Sequence, residues 1–187
     1  MARVWLVAEA RPKLWRANEA SARIPAMAVG ASSSPAPARD FGTPWLLLCL
    51  AFCSHVADEA LTHCLDVYNP TVTALRERIG WWPMPTFQFR EWLIGLIVAN
   101  LILLGLTPLA YRNVRALRPL AYFFAGVMLL NGMGHTLFTI LGRTVSSVQF
   151  PRPAPGFYSS PFLLAASLYL FLRLRQTAAI TPAKTAS

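Results

Sequence analysis

The chain has 187 residues, 55% of them apolar, and a net charge of +9; that apolar share exceeds the roughly 45–50% of soluble domains. The length fits one compact unit. Its three cysteines form neither a CxxC pair nor an even-numbered framework, which excludes a secreted disulfide scaffold.

Residues 1–43 mix Ala, Ser, Pro and scattered Arg and are expected to form a disordered cytoplasmic arm. The run Val4 to Ala8 is too brief for a signal-peptide core. Met27 is an alternative start, which would leave residues 1–26 untranslated.

Four apolar runs follow: Trp45 to Leu65, Trp92 to Tyr111, Leu120 to Leu141 and the shorter Phe157 to Leu172. With a rise of 1.5 Å per residue, about 20 residues match a hydrocarbon layer about 30 Å thick. The first three runs fit directly, and Arg173 and Arg175 can extend from the fourth into the interface. The expected fold is all-α: a four-transmembrane-helix bundle over residues 44–175, then a disordered tail over 176–187. Cys49, Cys53 and Cys64 read as small packing residues in or at the end of the first span.

Between spans one and two, Asn69 is the expected cap and Pro70 the first helical residue of a short interfacial helix, Thr71 to Ile79, closed by Gly80. Trp81, Trp82, Phe87 and Phe89 suit an outer aromatic belt. Pro151, Pro153, Pro155 and Gly156 make the third connection an irregular outer loop, and Pro161 falls in the first turn of span four.

The basic residues decide what the charge means. Six precede span one, three (Arg112, Arg115, Arg118) lie between spans two and three, and three follow span four, so twelve share one side. Five lie opposite: Arg76, Arg78, Arg90, Arg143 and Arg152. The asymmetry places both termini in the cytoplasm and argues for a membrane-lipid environment and against a nucleic-acid partner. Starting at Met27 leaves seven against five and the same orientation.

Span one carries His55, Asp58 and Glu59 in a single turn. An ionisable group at mid-membrane costs about 2.5–3.5 kcal/mol on insertion scales. Spacings of three and four put both carboxylates on the side of His55. Spans one and three run in the same direction, so depth can be counted from their midpoints. Asn131 then lies level with His55, and His135 level with Asp58 and Glu59. Asn100 of span two also falls near mid-depth.

His55, Glu59 and His63 form a stripe resembling a helical HExxH pattern. Histidines eight apart are separated by about 12 Å along the axis, too far for one ion with bonds of about 2 Å. The expected metal ligands are therefore His55, Glu59 and His135, with Asp58 and Glu59 as catalytic carboxylates and Asn131 and Asn100 in support. Buried Asn and His also act as interhelical glue, worth about 0.6–2 kcal/mol, and that role suits Asn100. Two adjacent carboxyls are poor glue, which favours a working role for the trio in span one. Gly126, Gly132 and Gly134 are expected to permit close helix packing, Glu91 to pair with Arg90 in solvent, and Arg143 to anchor the interface.

His55-Val56-Ala57-Asp58-Glu59, then Asn131-Gly132-Met133-Gly134-His135 and Pro155-Gly156-Phe157-Tyr158-Ser159, resemble the HXXEE-domain family of small prokaryotic integral membrane proteins. The likeness covers roughly residues 45–175. Asp58 stands where the name-giving motif has its first glutamate, which keeps the charge and shortens the reach by one methylene. The resemblance implies a bacterial plasma-membrane location and supports the site more than any particular reaction.

The leading functional expectation is a membrane-embedded enzyme that acts on a lipid or other apolar substrate with a divalent metal such as zinc as cofactor. In that scheme Asp58 is either a general base or an orienting group. A metal-free acid/base enzyme, resembling the sterol-isomerase family only in placing His and Glu within its spans, uses the same residues. A small proton- or ion-coupled transporter and a structural membrane protein are the other classes.

Overall fold

The computed structural model describes residues 41–179, and within them the chain is mostly helical. Of the expected arm over residues 1–43, residues 1–40 with the alternative start lie outside the described residues, as do residues 180–187 of the expected tail over 176–187; residues 42–43 and 176–179 are helical, not disordered. Six α-helices occur in chain order: α1 (Gly42–Leu61), α2 (Leu65–Ile79), α3 (Phe89–Gly105), α4 (Thr107–Tyr111), α5 (Arg118–Leu141) and α6 (Ser160–Ala179). Among the described residues three stretches, Gly42–Leu61, Phe89–Tyr111 and Arg115–Leu141, are long and apolar enough to cross a membrane.

The core forms where α1 meets its neighbours. Fully buried Trp45 donates Nε1–H to the Leu103 carbonyl at 3.0 Å and meets the Phe124 ring edge-on at 5.6 Å, joining α1 to α3 and α5. Phe41, placed in the arm by its sequence, is fully buried with this cluster. Contacts of Phe52 with Phe124 and of His55 with Asn131 advance together along both chains, so α1 and α5 are parallel. Packing of α6 on α5 is the most extensive in the bundle. A Cβ on Gly132 would lie 2.9 Å from Leu164 Cγ, so close approach there requires glycine. Gly126 and Gly134 have no such neighbour from another helix.

Pro108 cannot donate to the carbonyl of Leu104, and the apolar run of span two breaks at Leu106 into α3 and α4. The outward faces of α3 and α5 carry Ile94, Ile97, Leu101, Phe123 and Leu137, all exposed. A surface of this kind suits lipid.

Several local expectations are corrected. Helix α2 starts at Leu65, so Pro70 lies inside it rather than at its first position. Asn69 does not cap it. Its amide instead accepts the Phe87 backbone N–H at 3.0 Å and donates to the Phe87 carbonyl at 2.9 Å, pinning the connection to α3. The third connection is not irregular throughout: β1 (Arg143–Val145) pairs antiparallel with β2 (Val148–Gln149) before the prolines begin. This hairpin packs on α2. Span four starts at Ser160, three residues later than its apolar run, with Pro161 in its first turn, and its helix continues to Ala179.

Candidate functional site

Three separate stretches of chain converge at the C-terminal end of α1. His55 and Glu59, one turn apart, come from α1, and Asn131 and His135, also one turn apart, come from the parallel α5. Gly156 and Ser159 come from the loop before α6. His55 is fully buried, and Glu59 is 9% exposed.

Glu59 Oε1 lies 3.4 Å from His55 Nε2 and 3.1 Å from His135 Nε2. The two imidazole rings meet edge-on with centroids 4.8 Å apart. Tetrahedral donors at bond lengths of about 2.0–2.1 Å stand about 3.3 Å from one another, so two edges of the triangle already have the spacing of a shared ion. The third edge is looser, with all three donor atoms lying within 4.8 Å of one another. His55, Glu59 and His135 therefore form a group that could hold a metal ion. Cys64 Sγ stands 3.6 Å from Glu59 Oε1 and donates to it.

Hydrogen-bond direction shows how Nδ1 of His55 is engaged. Asp58 Oδ2 accepts the Ser159 backbone N–H and the Ser159 hydroxyl, each at 2.8 Å. An ionised carboxylate can only accept, so the Ser159 hydroxyl proton points at Asp58. The Ser159 oxygen, 2.8 Å from His55 Nδ1, is then the acceptor for an Nδ1–H. With Nδ1 engaged by Ser159, Nε2 is the nitrogen that faces Glu59 and His135, the arrangement in which a hydrogen-bonded partner orients a ligating imidazole. The Asn131 amide lies 2.9 Å from Nε2 and donates to it. A cation that takes the Nε2 lone pair must displace Asn131.

Ser159 precedes α6, and its carbonyl accepts the Leu163 N–H, so Asp58 also supplies negative charge at that helix start. Gly156 brings backbone against the site at φ +75°, where a Cβ would lie 2.9 Å from His135 Cε1 and 3.0 Å from Glu59 Cγ. Thr62 Oγ1 accepts the Gly156 N–H, and Thr139 Oγ1 accepts the Ala154 N–H while donating to the His135 carbonyl.

The structure thus brings His55, Glu59, His135 and Asn131 together and places Asp58 behind His55. Asp58 does not line the adjoining cavity. Asn100 is buried but contributes nothing to the cluster: the Trp45 to Leu103 bond sets the level of α3, leaving Asn100 nearer to Leu48 than to His55, which lies about 10 Å further along α1. His63, exposed at φ 55°, lies within the turn between α1 and α2 and is outside the group of His55, Glu59 and His135. Ser159 and Gly156 were not singled out as site residues from the sequence. The serine pair ahead of Pro161 is a helix-start signal, but with proline read as the first helical residue it points to Ser160 rather than Ser159.

Beside the cluster lies an open cavity of about 770 Å³ between α2 and α5, bordered by the hairpin and the α2 to α3 connection. Glu59, Asn131 and His135 form its polar wall, and most of the remainder is apolar, including Met128, Phe138 and Met84. Comparison of the chain with family models, curated proteins and solved structures returned no match.

Proposed function

We propose that this chain is a four-span membrane protein, α6 being the fourth span and both termini cytoplasmic, that works as a metal-dependent enzyme on a lipid or other apolar substrate. The carrying observation is the triangle of His55, Glu59 and His135 opening onto a largely apolar cavity. In it, His55 Nε2, His135 Nε2 and a Glu59 oxygen hold a divalent ion such as zinc. An ion with three protein ligands keeps one position for water and brings its pKa near 7, or polarises a substrate oxygen. Asp58 and Ser159 hold the His55 ring in its ligating tautomer, so Asp58 acts as a positioning residue. The His55-Val56-Ala57-Asp58-Glu59 motif and its resemblance to the HXXEE-domain family support the same placement.

Elemental analysis of purified protein tests the metal. One divalent ion per chain is expected, lost from both His55→Ala and His135→Ala. A folded wild-type chain that takes up no ion from zinc-containing buffer would sink the idea. Turnover can be sought by incubating the reconstituted protein with a membrane-lipid extract and comparing products by mass spectrometry against Glu59→Gln.

A metal-free acid/base enzyme is the second reading, favoured by the direct 3.1 Å contact of His135 with Glu59 and by the Asn131 bond to His55 Nε2. Activity that survives exhaustive chelation would select it.

A further inference from the structure

Charge is divided between the two ends of the bundle. The acidic residues of the described region, Asp58, Glu59, Asp66, Glu77 and Glu91, lie at the C-terminal end of α1, in α2 or at the start of α3. The other end, where α5 begins and α6 finishes, carries Arg112, Arg115, Arg118, Arg173 and Arg175 and no acidic residue among those described. Two of these arginines are engaged. Arg118 donates to Asn113 Oδ1 at 3.2 Å, and Arg173 donates to the Tyr169 hydroxyl at 3.3 Å with its guanidinium over that ring. Arg112, Arg115 and Arg175 are exposed, and their guanidinium groups have no hydrogen-bond or ion-pair partner among the described residues.

Helix α6 runs antiparallel to α5: Gly132 meets Leu164, and the rings of Tyr122 and Phe171 meet edge-on at 5.5 Å. Arg118 stands one turn before Tyr122 and Arg175 one turn after Phe171, so both lie about 6 Å beyond that contact, toward the same end of the seam between the two helices. Arg115 opens the 3-10 turn (Arg115–Leu117) that leads into α5. In the opposite direction along the seam, Phe123, Leu168 and Leu172 are exposed, and Gly126, one turn after Tyr122, has open space where a side chain would stand.

Guanidinium groups without counter-ions, at the end of a stretch long enough to cross a membrane, stand at the depth of lipid headgroups, and Arg grips phosphate with two parallel hydrogen bonds. The exposed apolar side chains beside them suit an acyl chain, which a free anion does not need. We infer that the seam of α5 and α6 binds an anionic phospholipid, its phosphate against Arg115 and Arg175 and an acyl chain along Phe123, Gly126 and Leu172. The inference rests on the reading of α6 as a fourth span beside α5, and it adds a lipid partner held at the end of the bundle away from the His55 cluster.

The test titrates full-length protein in detergent micelles with dioleoylphosphatidylglycerol or dioleoylphosphatidylcholine and reads bound lipid by native mass spectrometry. Tighter binding of the phosphatidylglycerol is expected. Arg115→Gln combined with Arg175→Gln, two exposed positions, should weaken that lipid about 30-fold, two arginines at the usual worth of one near an anionic surface, and leave phosphatidylcholine unchanged. Arg78→Gln combined with Arg90→Gln removes the same charge from exposed positions at the other end and should alter neither lipid. Equal binding of the two lipids, or equal weakening by the two double variants, overturns the site. Displacement of the phosphatidylglycerol by inorganic phosphate at matched ionic strength overturns the lipid as its occupant. Sidedness separates this inference from the four-span reading: Arg115→Cys and Arg175→Cys should each react with a membrane-impermeant maleimide, above the wild-type background, from the same face of sealed, uniformly oriented vesicles. Reaction from opposite faces removes the fourth span and the site with it, whereas reaction from one face without a lipid preference removes only the site.

Discussion

The Ser159 hydroxyl oxygen meets Nδ1 of His55 at 2.8 Å across 104 residues of sequence, and the same hydroxyl donates to Asp58. The bond lets a loop residue dictate which nitrogen of a buried histidine is free.

Ser159→Ala removes the partner of Nδ1 and should weaken metal binding about 10- to 100-fold, the usual effect of losing a group that orients a ligating histidine. Competition between the protein and a chromophoric chelator for zinc measures it. Ser159→Thr, which keeps the hydroxyl, should recover most of the affinity. Equal affinities in all three proteins would remove the orienting role.

Asn131→Ala distinguishes the two chemical readings. If Asn131 gives up its bond to Nε2 when an ion binds, deleting the amide should leave zinc affinity intact or raise it, by up to about tenfold for one hydrogen bond. Loss of zinc binding in a folded Asn131→Ala protein would contradict that displacement.

Gly156→Ala should be among the most damaging small changes in the chain. The residue sits at φ +75°, and the added methyl meets His135 and Glu59 at about 3 Å. A left-handed non-glycine residue costs on the order of 1–3 kcal/mol before any clash. Thermal unfolding in detergent should show a lower midpoint together with lost zinc binding. Gly126→Ala, with open space around it, serves as control and should change neither.

Asn69→Ala releases both bonds that tie the α2 to α3 connection at Phe87. Faster hydrogen exchange over residues 80–88, with exchange in α5 unaltered, is the expected outcome. Unchanged protection of that connection would show that packing alone holds it.

Helix placement and the grouping of His55, Glu59 and His135 were legible because they needed only a rise of 1.5 Å per residue and two apolar runs taken in the same direction. His55 with Asn131 and Glu59 with His135 follow from that count. Asn100 escaped it because span two is antiparallel and broken at Leu106, so its level depends on the contact of Trp45 with Leu103, which no periodicity encodes. The hairpin was hidden by its size: Val145 and Val148 flank a turn at Ser146 and Ser147, too short an alternation to stand out. Asn69 and Pro70 formed a credible helix start, yet α2 continues directly out of the turn after α1 and uses Asn69 for a distant backbone instead. Asp58 was visible as an expensive residue, but its partner came from an irregular loop whose path no local rule supplies.

The dependence of Asp58 on Ser159 also bears on biogenesis. Helix α1 emerges from the ribosome long before the loop and α6 that complete its polar turn, so a newly inserted α1 carries His55, Asp58 and Glu59 with none of their later partners. Such a helix is a poor resident of lipid by itself. Retention of α1 in the translocation machinery until α5 and α6 arrive, and faster degradation of chains truncated before residue 159, are the outcomes expected of building one site from both ends of the bundle, and pulse-chase of truncated chains measures them.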